Sequence, residues 1–277
     1  PILSAMAAER AGVDLVFLAS HPRVVRAASR RPTIIPVELE GHDTLHEDHL
    51  KLLSKHVERV DAIAVGMGLS TSSDAEKALA GLLDLALKLG KKVVLDADAL
   101  KLLPRVVEYS RLSGAVLTPH DKEFELLFGE KVPEASRLFE RARAAFRAAH
   151  RLGPGSVILL KGPVDVMASA SRVRLNKTGA PVMSVGGTGD VLAGLVAGLI
   201  AKGMDTFDAA CVAAYVNGAA GALAYRDLGD SATALDVLKR VPLVLKDPIA
   251  TARHAIVYRR VNVSPQPVSP GAATPSG

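Results

Sequence analysis

The chain has 277 residues, 49% of them apolar, with 34 Lys and Arg against 29 Asp and Glu for a formal net charge of +5. This suits one large α/β domain with a sizeable core, and the single cysteine, Cys211, excludes an internal disulfide framework and fits a reducing, cytoplasmic setting. The positive excess is mild and forms no dense Lys/Arg run with interleaved aromatics, so an anionic small molecule is a better expectation than nucleic acid.

From the N-terminus, an amphipathic stretch over 1–11 lacks the charged-then-apolar order of a secretory leader. Strands are expected at 13–19 and 33–37, a helix at 44–59, a strand at 62–65 and a helix at 74–89. Strand 93–95, helix 99–110, strand 115–117 and helices 121–127 and 134–151 follow. Strand 156–160 leads to a pair at 164–168 and 172–175, whose short connection predicts an antiparallel hairpin. Beyond Gly189 the pattern turns helical, at 190–201, 207–225, 232–240 and 248–258. The segment 207–225 is long, but it is rich in Ala and Gly and carries Asp208 and Asn217, so it reads as a closely packed core helix and not as a membrane span. Continuous Val/Ile/Leu strands separated by helices predict a mainly parallel sheet covered on both faces. Residues 1–262 form the expected domain, and the Pro/Ser/Gly/Ala-rich 263–277 reads as a flexible tail.

The chemistry concentrates at strand ends. Val65 leads into Gly66-Met67-Gly68, Leu95 into Asp96-Ala97-Asp98, Leu117 into Thr118-Pro119-His120-Asp121-Lys122-Glu123, and Leu160 into Lys161-Gly162. The carboxyl edge of an open α/β sheet is where ligands bind. Structural roles compete at each position. Gly66 and Gly68 permit a turn, Asp98 suits a helix cap, Thr118-Pro119 suits a helix boundary, and Glu123 can complete a cap with His120. Lys161 also suits an ordinary surface position.

Gly186-Gly187-Thr188-Gly189 then forms a tight turn ahead of Asp190 and a small-residue helix. Glycines let backbone amides approach a ligand, and a helix N-terminus favours an anion such as phosphate. Asp190 would stand beside that anion, placed to accept a hydrogen bond from an attacking hydroxyl, or else to cap the helix. His42, His46 and His49 put imidazoles at helical spacing. Closing ligands are not evident from the sequence, and Glu47 and Asp48 between them suit a solvated face, so no metal site is assigned. A P-loop, a complete dinucleotide fingerprint, a Gly-x-Ser-x-Gly elbow and a Cys-x-x-Cys pair are all missing.

Taken in order, these motifs resemble the ribokinase-like superfamily and, within it, the NAD(P)H-hydrate dehydratases. The resemblance rests on residues 66–69, 96–100, 118–120 with Glu123-Phe124, 160–162, and above all 176–179 running to Met183 and 186–194. It implies a three-layer α/β/α fold with a mainly parallel sheet. It also implies phosphorylation of the ring hydroxyl of hydrated NADH or NADPH by ADP (ATP in eukaryotic relatives) with Mg2+, followed by loss of phosphate. By position, Gly68, His120 and Asp190 would contact the hydrated cofactor. Lys161, Gly162, Pro163, Val164, Asp165 and Gly189 would hold the nucleotide, Gly186, Gly187 and Thr188 would cradle the anion, and Glu123 would serve Mg2+ through water. Met67, Ser70, Ala180 and Val182 replace residues that are usually proline, glycine, asparagine and glycine. An epimerase domain or protein in the same pathway is the further partner implied; oligomeric state stays open, with the Ala/Gly-rich helices offering a surface for a homo-oligomer. A small-molecule kinase and a nucleotide-binding protein without turnover stay open as alternatives.

Overall fold

The computed structural model describes residues 1–28 and 32–255. The expected tail at 263–277 and the end of the helix expected at 248–258 lie outside the described residues.

Six strands form one sheet in the order β3 (Ala62–Val65), β4 (Lys92–Leu95), β5 (Ala115–Leu117), β6 (Val157–Leu160), β7 (Asp165–Ala168) and β8 (Val173–Asn176), numbered in chain order. The first four run parallel, and β7 and β8 each pair antiparallel with the strand before. The expected hairpin is present, with Asp165 opposite Asn176. Two further strands, β1 (Val16–Ser20) and β2 (Ile34–Glu38), pair parallel with each other in a separate sheet. A cavity of about 1000 Å³ is lined by residues of both β1 and β3, among them Phe17, Leu18, Ile63 and Ala64.

Successive residues of a strand face opposite ways, and this alternation divides the core. Val94, Val116, Val157, Leu159 and Met167 join a cluster with α1 (Ile2–Arg10), α8 (Thr188–Ala201), α9 (Thr206–Leu228) and α10 (Ala234–Lys246). Val93, Leu95, Leu117, Ile158, Leu160 and Val166 face a second cluster. That side is built by α4 (Ser73–Lys88), α5 (Asp98–Val106), α6 (Asp121–Phe128) and α7 (Leu138–Ala149). The result is the three-layer α/β/α arrangement. The remaining helices are α2 (Pro22–Ala28), α3 (Leu50–Val57) and α11 (Pro248–Ala255).

Small residues set the closeness of the first face. A Cβ on Gly194 would lie 2.1 Å from the carbonyl oxygen of Ser4, and one on Gly198 2.7 Å from the Ala11 side chain, so α1 lies almost backbone to backbone on α8. Helix α9 is long and apolar enough to cross a bilayer by length and composition, yet 78% of its apolar window is buried within the fold. It is a core helix.

Several expected boundaries move. The helix expected at 44–59 opens as a 3-10 turn, Glu47–His49, because the His46 side chain caps there, and only then becomes α3. Helix α5 stops at Val106 with Pro104 inside its last turn, where a missing N–H and ring bulk break the ladder. Helix α7 begins at Leu138, four residues later than apolar spacing suggests. Helix α2 has no counterpart in the expected pattern.

Candidate active site

The parallel strands end together, and their following loops bond to one another. Val65, Leu95 and Leu117 share a register line. The Asp96 amide donates to Val65 O at 3.2 Å, Asp98 N to Gly66 O at 3.2 Å, Thr118 N to Leu95 O at 3.1 Å and Lys161 N to Pro119 O at 2.8 Å. Four of the strand-end motifs therefore form one continuous rim. Gly66 is required there, since at its φ of +127° a Cβ would overlap the carbonyl oxygen of Asp96. Ser70 adopts φ +75°, a conformation glycine takes without strain, and its N–H is held by Asp98 Oδ2 at 3.1 Å. Asp98 thus ties two loops together, and α5 starts without a side-chain cap at Ala97.

At the centre, the Lys161 ammonium lies 2.8 Å from Asp96 Oδ1 and 3.9 Å from Glu123 Oε2. Asp96 and Glu123 are 2% and 6% exposed, so these charges face one another largely out of water. Thr118 Oγ1 donates to the same oxygen, Asp96 Oδ1, at 2.8 Å, which helps fix the carboxylate. The first turn of α8 meets this group directly, because a Cβ on Gly189 would lie 3.6 Å from Lys161 Nζ and 3.9 Å from Asp96 Oδ2. With no side chain at 189, space beside the ammonium remains open to a ligand. The amides of the first helical turn have no intrahelical acceptors and point their positive dipole end there.

Of the turn residues, Gly186 is exposed with nothing near its Cβ position, and Gly187 takes a left-handed φ of +95° against Leu3 and Ala234. Thr188 is buried, and its hydroxyl donates to Met183 O at 2.8 Å, so it braces the turn. Asp190 is partly buried beside Pro1. Burial pushes its carboxyl above the ordinary aspartate range. Asp96's charge adds to this, and Lys161 pulls against it. A carboxylate in that position is a better proton acceptor than a solvated one.

The remaining expected site residues divide. Gly68 sits on the rim at φ +70° beside Pro1. His120 and Glu123 form a capping box for α6: His120 N donates to Glu123 Oε2 at 2.9 Å and Glu123 N to His120 Nδ1 at 3.2 Å. Glu123 thus both caps the helix and faces Lys161. Gly162 and Pro163 are exposed at the loop tip and Val164 is partly so. Asp165 turns inward, accepting from Gly162 N at 3.1 Å and Asn176 Nδ2 at 3.0 Å. Burial pushes its carboxyl up to about 6. It shapes the loop from behind.

Asp96 and Arg141 are contributions that site reasoning from sequence did not assign. Arg141 is fully buried in α7. It donates to both Asp121 oxygens, at 3.1 and 2.8 Å, and to Lys161 O at 3.3 Å. A helical arginine ordinarily signals a solvated face. Asp96 did carry a signal, as the residue next after an apolar strand.

Residues 1–243 match the family model described as NAD(P)H-hydrate dehydratase. The chain belongs to the NAD(P)H-hydrate dehydratase family. It is 48% identical over 261 residues to the bifunctional NAD(P)H-hydrate repair enzyme Nnr of Hyperthermus butylicus, covering 94% of this chain and 48% of that protein. It is 37% identical over 248 residues to the ADP-dependent (S)-NAD(P)H-hydrate dehydratase of Nitrosopumilus maritimus, covering 89% and 83%. Among solved structures, the Bacillus subtilis ADP/ATP-dependent NAD(P)H-hydrate dehydratase, co-crystallised with ATP/Mg2+ and soaked with CoA, superposes with a TM-score of 0.70. Its identity is 27%, with coverage of 88% of this chain and 85% of that one. The fold is ribokinase-like. The chain spans about half the length of the bifunctional relatives, 48% in the Hyperthermus protein.

Proposed function

We propose that the chain is an ADP-dependent NAD(P)H-hydrate dehydratase. The ring hydroxyl of hydrated NADH or NADPH attacks the β-phosphorus of ADP, releasing AMP and passing its proton to Asp190. The C–O bond then breaks with the ring nitrogen's electron pair as the push, phosphate leaves, and loss of a proton from the adjacent ring carbon to the departing phosphate restores the C=C bond of the reduced nicotinamide.

The observation that carries this reading is the meeting of Lys161 and Asp96 with Gly189 and Asp190 across the sheet edge. Phosphoryl transfer asks a protein mainly for positioning and for charge opposite the migrating group. Lys161 supplies a cation held in place by two buried carboxylates, and the α8 turn supplies amides. Asp190 supplies a raised-affinity base one residue from that turn. Gly68 and His120 line the rim for the dinucleotide, residues 161–164 face the nucleotide, and Asp165 holds that loop in shape from behind. Buried carboxylates of Asp96 and Glu123 are hard oxygen donors that fit Mg2+ holding its own waters. Bound there with nucleotide, the ion would neutralise phosphate charge.

The family's bifunctional members support an epimerase partner, as a domain or a separate protein. A reducing cytoplasmic setting and a homo-oligomer complete the proposal. Incubating the protein with hydrated NADH, Mg2+ and ADP tests it. Return of reduced-nicotinamide absorbance with one AMP per turnover is the expected result. A stable phosphorylated product would indicate a kinase instead, and ADP binding without turnover would indicate a nucleotide-binding protein.

A further inference from the structure

We propose that His42, His46 and Asp48, on the connection between β2 and α3, form a binding site for a divalent transition-metal ion of the zinc class. One ligand atom from each lies within 4.8 Å of the others. His42 Nε2 stands 3.0 Å from Asp48 Oδ2, and His46 Nδ1 stands 3.1 Å from the same oxygen. The two imidazole rings stack with centroids 3.7 Å apart and planes 11° from parallel, so both present nitrogen to one carboxylate. Donors bonded at about 2.0–2.2 Å to a single tetrahedral ion stand roughly 3.3–3.5 Å from each other. Only a slight opening of the cluster would admit one.

The hydrogen bonding leaves a place for positive charge. His46 Nδ1 accepts the Asp48 amide at 3.2 Å, so that nitrogen carries no proton in this tautomer. It also lies 3.1 Å from Asp48 Oδ2; a cation bound between the two takes that lone pair in place of the amide and offsets the carboxylate's charge. The ligands are also braced. His49 is 5% exposed, its Nδ1 accepts from His46 N at 3.1 Å, and its Nε2 donates to Glu40 O at 2.9 Å. With both nitrogens occupied, His49 is a strut that holds the segment in shape and not a ligand.

Two imidazoles with one carboxylate suit zinc and its first-row neighbours, whereas Mg2+ and Ca2+ prefer all-oxygen sets. The Asp48 side chain is 72% exposed, so water completes the coordination. Bound metal would pin residues 42–48 to one conformation. The site stands apart from the dehydratase reading and does not depend on it.

The test uses the full chain, tag-free and stripped with chelator, titrated with Zn2+ by calorimetry and with Co2+ by visible absorption. Expected is about one ion per chain, with His42→Ala weakening binding about ten-fold or more and Asp48→Asn also weakening it. The cobalt bands should change in both. Because His46 also caps the 3-10 turn, His46→Asn, which keeps an acceptor, accompanies His46→Ala. His150→Ala serves as control. Zinc affinity unchanged in both His42→Ala and His46→Asn, or no stoichiometric binding by the parent protein, overturns the proposal.

Discussion

Asp190 combines two features that pull in different directions: it stands in the first turn of a helix, which favours its anion, and it is withdrawn enough from water that burial raises its proton affinity. As a base it must be ionised, so turnover falls as pH drops through its folded pKa. That acid limb lies above the ordinary aspartate value of 3.8. Asp190→Asn should lower turnover about 10²–10⁴-fold and leave ADP affinity in place, which initial rates and equilibrium binding check together. Asp165 gives a stability counterpart. Its pKa near 6 exceeds the unfolded value of 3.8, so the fold favours its protonated form. Its contribution is fully present below pH 3.8 and is lost as pH rises through about 6. The loss is on the order of 2–3 kcal/mol. Urea unfolding between pH 4 and 7 should show that slope, and Asp165→Asn should flatten it. Lys161, Gly189 and Asp190 were legible as candidate site residues because each follows a strand or lies at a glycine turn. The ion pair that fixes Lys161 was not, since Asp96 is 65 positions away. Nor was Asp165's inward turn, because a polar residue at a strand start looks solvated until its partners fold around it.

At the level of elements, the sheet was readable and the helix boundaries were less so. Strands buried on both faces read as unbroken apolar runs, and β3, β4 and β5 fall within a residue of expectation. Apolar spacing marks the face of a helix but not where its hydrogen-bond ladder starts. That is why α3 and α7 begin later than periodicity suggests, the first behind a histidine cap. The short α2 escaped notice, and so did the cavity lined by β1 and β3, which depends on pairing. Glycine carried a clearer message. Gly194 is helical, and its missing Cβ is what permits the Ser4 carbonyl to approach. Gly194→Ala should push α1 off α8 at a cost of about 1–3 kcal/mol, read as a lower urea midpoint with unchanged slope. Gly203→Ala provides the contrast. It meets nothing within 4 Å and bears only the strain of φ +92°, so it should cost less than Gly194→Ala.

Across the whole molecule, the site belongs to no single element. Its parts come from the ends of β3, β4, β5 and β6 and from the start of α8, which lies on the face opposite α5 and α6. A nucleotide bound among Lys161, Gly189 and the intervening loops therefore touches both helical layers through the sheet edge. Binding at such a junction should stabilise the fold as one unit. At ADP about 100 times its dissociation constant, the gain is about 2.7 kcal/mol, or roughly 5–10 °C in the unfolding midpoint of a chain this size. Differential scanning calorimetry with ADP and Mg2+ should show one transition moving upward. Lys161→Ala should lose most of that shift at the same ADP concentration, because it removes the cation proposed to meet the phosphates. Asp190→Asn should keep it, because the proposed role of that residue is toward the acceptor hydroxyl. If both substitutions abolish the shift, Asp190 helps hold the nucleotide and its assignment as the base for the dinucleotide fails. If neither does, ADP binds away from the rim.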